Sequence, residues 1–152
     1  MNHNHTRDYC WLVFFTRVMG GLLFLMAGWH KVFVMSPRAH AAKLFVEPYA
    51  QSWIPTFLLW ALGFVIPFVE LIAGALLVAG WLRRPVAVAL GFLLLVVTYG
   101  HALNEPFFDV TTHILPRLAL LAPVLIFGAG EDRWSVDAWL ARRRDRKEPK
   151  GD

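Results

Sequence analysis

Seven side chains in this 152-residue chain could do chemistry together: Glu70, Arg117, Lys31, Arg17, His101, His113 and Thr98. Glu70 stands near the middle of an apolar segment, residues 54–82. A carboxylate there is costly unless a cation answers it or a proton neutralises it. Histidines beside such a group can carry protons. Hydrogen-bond donors, a proton route and an apolar cleft are what a redox-active quinone headgroup and its tail require, and these residues supply all three. The bland alternative is an ion pair that only locks helices together.

The depth of each group follows from a helical rise of about 1.5 Å per residue. Counted from the more basic side, Glu70 lies at about 18–20 Å, Arg117 at about 17 Å, Lys31 at about 30 Å and Arg17 at about 9 Å, with the two histidines at about 22–26 Å. Side chains lean towards the N-terminus of their own helix. On height, Arg117 is the better partner for Glu70 and Arg17 the next. Glu70, Arg117 and Lys31 are therefore the expected chemical centre. His101, His113 and Thr98, with Arg17, are the expected ligand contacts.

The elements that hold these groups read as membrane helices. The chain is 57% hydrophobic and 17% charged, against about 45–50% and about 25% in soluble domains. Its apolar residues fall in four blocks, 11–29, 54–82, 86–103 and 114–128, each read as a span. Small and polar residues recur on one face of each. The stripes are Arg17, Gly21, Phe24, Gly28, Lys31; then Gly63, Pro67, Glu70, Gly74, Leu77; then Gly91, Leu94, Thr98, His101, Glu105; then His113, Arg117, Leu121, Val124, Gly128. Steps of three and four place each set along one side of a helix. The fold class expected is all-α: an antiparallel bundle of four transmembrane helices with a common interior. Pro67, Pro116 and Pro123 fall within the spans and should kink them, their freed carbonyls met by neighbours.

Lys and Arg set the orientation. Arg83 and Arg84, with the basic tail from Arg133 to Lys150, share one side; Lys31, Arg38 and Lys43 share the other. Both termini are thus expected in the cytoplasm. The organisation is a tail over residues 1–9, one membrane domain over 10–130 and a basic tail over 131–152. Residues 38–46 suit a short interfacial helix stopped by Pro48, followed by a belt of Phe45, Tyr49 and Trp53. Ser135 is a candidate N-cap for a helix leading into the basic run 142–147. That run fits anionic lipid rather than nucleic acid, because Asp145 and Glu148 interrupt it.

Other chemistries lack a pattern. The single cysteine, Cys10, cannot form an internal disulfide or a Cys-x-x-Cys relay. His30, His101 and His113 show no i, i+4 metal spacing, so no metal site is expected. No flavin, nucleotide or iron–sulfur motif is apparent. Arg17 interrupts the first block and no Ala-x-Ala follows it, which argues against a cleaved signal peptide.

Several of these motifs resemble the DoxX family. They are Arg17 with Gly20–Gly21, the run Ala27-Gly28-Trp29-His30-Lys31, the run Pro67-Phe68-Val69-Glu70-Leu71 leading into Gly74, the turn Gly80-Trp81-Leu82-Arg83-Arg84-Pro85, and the ending Arg133-Trp134-Ser135-Val136-Asp137. The resemblance implies a four-helix protein of a bacterial-type inner membrane, related to the small subunit of a thiosulfate:quinone oxidoreductase. It implies functional weight on Lys31 and Glu70, and on Arg17. The resulting expectation is a membrane subunit of a redox complex that binds quinone in the outer half of the bundle. Its expected partners are membrane lipid, a redox protein and a second copy of the chain. The alternatives are a non-enzymatic anchor or assembly factor, and a transporter of small molecules or lipid.

Overall fold

The computed structural model describes residues 3–104, 112, 114–127 and 132–146. Glu105, His113 and Gly128 lie outside these, as does the boundary drawn at residue 130. The described residues are helical, with no strand among them. Helix α1 spans His3–Trp29 and runs on through a π-helical turn, His30–Val34. A short helix α2, Pro37–Ala41, is followed by a second π-helical turn, Ala42–Val46. Helices α3 (Thr56–Ala79), α4 (Arg83–Asn104), α5 (Leu115–Ile126) and α6 (Val136–Asp145) complete the order. Among the described residues, three helices are long and apolar enough to cross a bilayer, over Tyr9–Val34, Thr56–Ala79 and Arg83–Leu103. Helix α5 is apolar but shorter.

Two boundaries differ from the sequence expectation. The first helix extends back to His3 instead of starting at residue 10, because neither proline nor glycine interrupts residues 3–9. Pro116 does not kink a span; it sits in the first turn of α5, where its missing N–H is no loss. Pro67 and Pro123 do lie inside helices.

The helices pack as a ring. Helix α1 contacts α3, α3 contacts α4, α4 contacts α5, and α5 returns to α1. The tightest seam joins α1 to α3. A Cβ on Gly28 would fall on the backbone nitrogen of Leu71, and one on Gly74 would fall on the backbone nitrogen of Leu25. Only residues without a side chain let the two backbones meet this closely. The stripes expected on α1 and α3 are the buried faces found, with Arg17, Gly21, Phe24 and Gly28 facing Gly63, Pro67, Glu70, Gly74 and Leu77. Phe24, Leu77, Leu90, Leu94, Leu121 and Val124 fill the interior.

Helix α4 is turned from its expected face. Past Arg83 at its start, its buried residues are Val86, Ala87, Leu90, Leu93 and Leu94, while His101 is exposed. A Cβ on Gly91 would meet nothing within 4 Å. Here the bundle is held by large side chains filling volume, so the small and polar residues do not mark the inner face.

This contrast is testable in detergent. Gly28→Ala forces two backbones apart and should destabilise the protein by about 1–3 kcal/mol. Gly91→Ala meets open space and gains helix propensity, so it should be neutral or stabilising by up to about 1 kcal/mol. Thermal unfolding of both variants checks the seam.

Candidate functional site

Glu70 is 1% exposed, and its Oε2 accepts a 2.6 Å hydrogen bond from Lys31 Nζ. The glycine seam creates this pair. Gly28 lies one turn before Lys31, and its own neighbours are Leu71 and the backbone of Glu70. The π-helical turn then carries Lys31 beyond the end of α1. Lys31 leans back along α1 and Glu70 leans back along the antiparallel α3, so each reaches towards the other.

One turn away, Pro67 leaves a second polar demand. Proline has no N–H, so the carbonyl four residues earlier, Gly63, loses its helical donor. His40 meets it, with Nδ1 2.7 Å from Gly63 O. A carbonyl only accepts, so Nδ1 carries the proton in this bond. A Cβ on Gly63 would lie 2.6 Å from Ala41 Cα, so glycine is also what lets α2 approach α3. His40 is 2% exposed. Burial pushes its pKa below the ordinary 6.5, as does Lys31, while the Gly63 bond and Glu70 oppose this.

Above these groups lies a cavity of ≈ 540 Å³. Leu58, Leu62, Ile66, Val96 and Val97 form much of its wall, with Lys31, His40, Tyr49, Tyr99 and His101 as polar lining. Phe45 and Trp53, which the sequence pattern assigned to a surface belt, also line it. Tyr49 ties the connecting segment to α4 by donating to Gly100 O at 2.7 Å. Lys31 thus lies between the cavity and the carboxylate beneath it.

A second polar cluster closes the opposite end of the bundle. Arg17, 1% exposed, donates through Nε to Asp132 Oδ2 at 2.8 Å. Its Nη1 donates to Leu77 O and Val78 O, and its Nη2 to Trp134 O. It thereby adds donors at the end of α3, to Val78 O and to Leu77 O, which also accepts from Gly80 N–H. Arg83 Nη1 lies 3.3 Å from the same Asp132 oxygen. That Nη1 and Asp132 Oδ1 have no hydrogen-bond partner among the described residues. Asp137 accepts from the backbone N–H groups of Leu82 and Arg83, capping the start of α4. Ser135 accepts from Ala138 N at the start of α6, the capping role expected of it.

The seven expected residues separate accordingly. Lys31 and Glu70 meet, and His101 lines the same cavity. Arg117 does not pair with Glu70: its Cζ sits 5.5 Å from the Phe24 ring centroid, in cation–π geometry. It lies on α5, diagonal to α3 across the ring, so matched height does not bring contact. Arg17 does not pair with Glu70 either, being held by Asp132. Thr98 is not part of the cavity lining, and its hydroxyl bonds back to Leu94 O at 2.7 Å. His113 lies outside the described residues. No group of three or more His, Cys, Asp or Glu with metal-site geometry occurs among the described residues.

Three residues went unnoticed in the sequence. His40 had a signal, since Pro67 demands a donor for Gly63 O. Asp132 and Arg83 had one too, since Arg17 needs a carboxylate, but both sit at polar turns that read as solvated.

The DoxX family model matches residues 12–102, and the chain belongs to that family. The match spans α1 to α4; the ending that carries Asp132 and Asp137 lies beyond it. No curated protein and no solved structure matches the chain. The chain is a membrane protein, with apolar helices of spanning length inside the matched region.

Two outcomes follow from the geometry. Asp132→Asn strands two buried guanidinium groups and should destabilise the protein by about 3–5 kcal/mol, measured by denaturant titration in detergent. His40 has a depressed pKa, so its contribution is complete above pH 6.5 and is lost as pH falls through the folded-state value. Stability should therefore decline as the pH falls below about 6.5. His40→Asn, which keeps a donor near Gly63 O, should flatten that decline.

Proposed function

We propose that this DoxX-family protein is a four-span subunit of a redox complex in a bacterial-type inner membrane. In this reading the cavity over Lys31 and Glu70 binds a quinone or quinol headgroup. Both termini lie in the cytoplasm, α5 with its flanks makes the fourth span, and the cavity opens in the outer half of the bundle. Helix α2 and its π-helical turn form the interfacial cap.

The observation that carries the reading is the cavity built over a buried, ion-paired carboxylate. Its ≈ 540 Å³ falls within the range of about 300–1,000 Å³ usual for small-ligand sites. Its walls are mainly apolar, as a prenylated ring requires, and Lys31, His40, Tyr49, Tyr99 and His101 supply its polar groups. A bound quinone would supply reversible uptake of two electrons and two protons. Lys31 Nζ serves as a donor to a ring oxygen while keeping its hydrogen bond to Glu70. Glu70, reached through Lys31, accepts or returns a proton. Phe45, Tyr49 and Trp53 exclude water at the mouth. His101 is the histidine of the expected pair that lines the cavity. Electrons pass to or from a partner redox protein, since the chain carries no recognisable flavin, nucleotide or iron–sulfur motif.

A second reading is favoured by the other end of the molecule. Arg17, Asp132 and Arg83 form a buried ion cluster that ties α1 and α4 to the segment before α6, which suits a non-enzymatic anchor or assembly factor.

Thermal unfolding with a short-tailed benzoquinone separates these readings. A rise in Tm for the wild type, and a smaller rise for Glu70→Gln, is expected of the binding subunit. No rise, or an equal one in the variant, favours the anchor.

A further inference from the structure

The cavity wall carries an open acceptor that the proposed headgroup must satisfy once it displaces water. His40 is 2% exposed and lines the cavity wall. Its Nδ1 is committed to Gly63 O at 2.7 Å. That carbonyl is open because Pro67 cannot donate to it. The proton must therefore sit on Nδ1, which leaves Nε2 as a lone pair. Nε2 has no partner among the described residues. The backbone thus sets the tautomer: a proline on α3 dictates which nitrogen of a histidine on α2 is bare.

Across the same cavity stands the opposite kind of group. Lys31 Nζ has donors and no acceptor, and one of those donors is taken by Glu70. Lys31 therefore brings only donors to the cavity wall and His40 Nε2 only an acceptor, while the hydroxyls of Tyr49 and Tyr99 can play either part. An oxidised quinone ring has carbonyl oxygens only. It can satisfy Lys31, but it sets a lone pair against Nε2. A reduced ring carries hydroxyl groups, which both donate and accept.

We propose that His40 makes this cavity selective for the reduced, hydroxyl-bearing form of the ring, with Nε2 accepting from one hydroxyl while Lys31 donates to an oxygen. The inference rests on the reading of the cavity as a headgroup site and adds which redox form it holds. His40 is a specificity residue here; no electron transfer is asked of it. Leaving a buried acceptor unpaired costs enough to favour the reduced form by about tenfold.

The test is equilibrium binding to the full-length protein in detergent. The probes are a short-tailed benzoquinone, its hydroquinone under anaerobic conditions, and the dimethyl ether of that hydroquinone. The hydroquinone should bind about tenfold more tightly than the quinone. The dimethyl ether keeps its oxygens but cannot donate, so it should lose that advantage. His40→Asn places an amide donor near Gly63 O without the second ring nitrogen. It should bring the two redox forms to similar affinity while still binding both. Equal or tighter binding of the quinone by the wild type overturns the inference and leaves the headgroup site standing. Full preference retained by the dimethyl ether also overturns it, and needs no variant to fold. Failure of all three probes to bind overturns both the inference and the reading beneath it.

Discussion

A carboxylate buried in an apolar bundle is stable only where a cation can reach it, and the seam between α1 and α3 makes that possible. Gly28 and Gly74 let the two backbones touch, and the touch occurs beside Glu70. Lys31 follows Gly28 by one turn and so arrives at the carboxylate. If the helices stood a methyl group further apart, the amine would have to stretch and the acid would face a gap. Close packing and electrostatics are thus one constraint here, carried by residues with almost no side chain.

The same logic recurs with backbone groups. Pro67 opens a carbonyl on α3, and Gly63 keeps that position slim enough for α2 to bring His40 against it. At the far end, α3 stops on Gly80, whose φ of 71° is the left-handed conformation glycine adopts freely. Arg17 donates to the carbonyls of Leu77 and Val78 at that end. The carbonyls that His40 and Arg17 meet sit where α3 is interrupted or ended. Such places concentrate unmet hydrogen-bonding capacity.

Much of this was legible in the sequence. Period and residue size revealed the inner faces of α1 and α3, because close-packed seams need small residues at regular steps. Ser135 was readable as a cap from its place before α6. The face of α4 was not readable: where leucines do the packing, a glycine or threonine marks nothing. The partner of Glu70 was missed because height alone ignores the ring order. Arg117 matches in depth but lies on the diagonal helix, whereas the mutual lean of Lys31 and Glu70 closes a gap that simple residue counting leaves open. His40 and Asp132 became visible only through the groups they answer, 23 and 115 positions away in the chain.

That last separation bears on how the protein is made. Arg17 emerges from the ribosome 115 residues ahead of the carboxylate that neutralises it, and Asp132 belongs to the segment synthesised after every long helix. Until then the guanidinium of the first helix lacks its carboxylate, and the carbonyls of Leu77 and Val78 are the partners that can meet it sooner. The segment carrying Asp132 has to fold back against the first helix before that buried charge is neutralised.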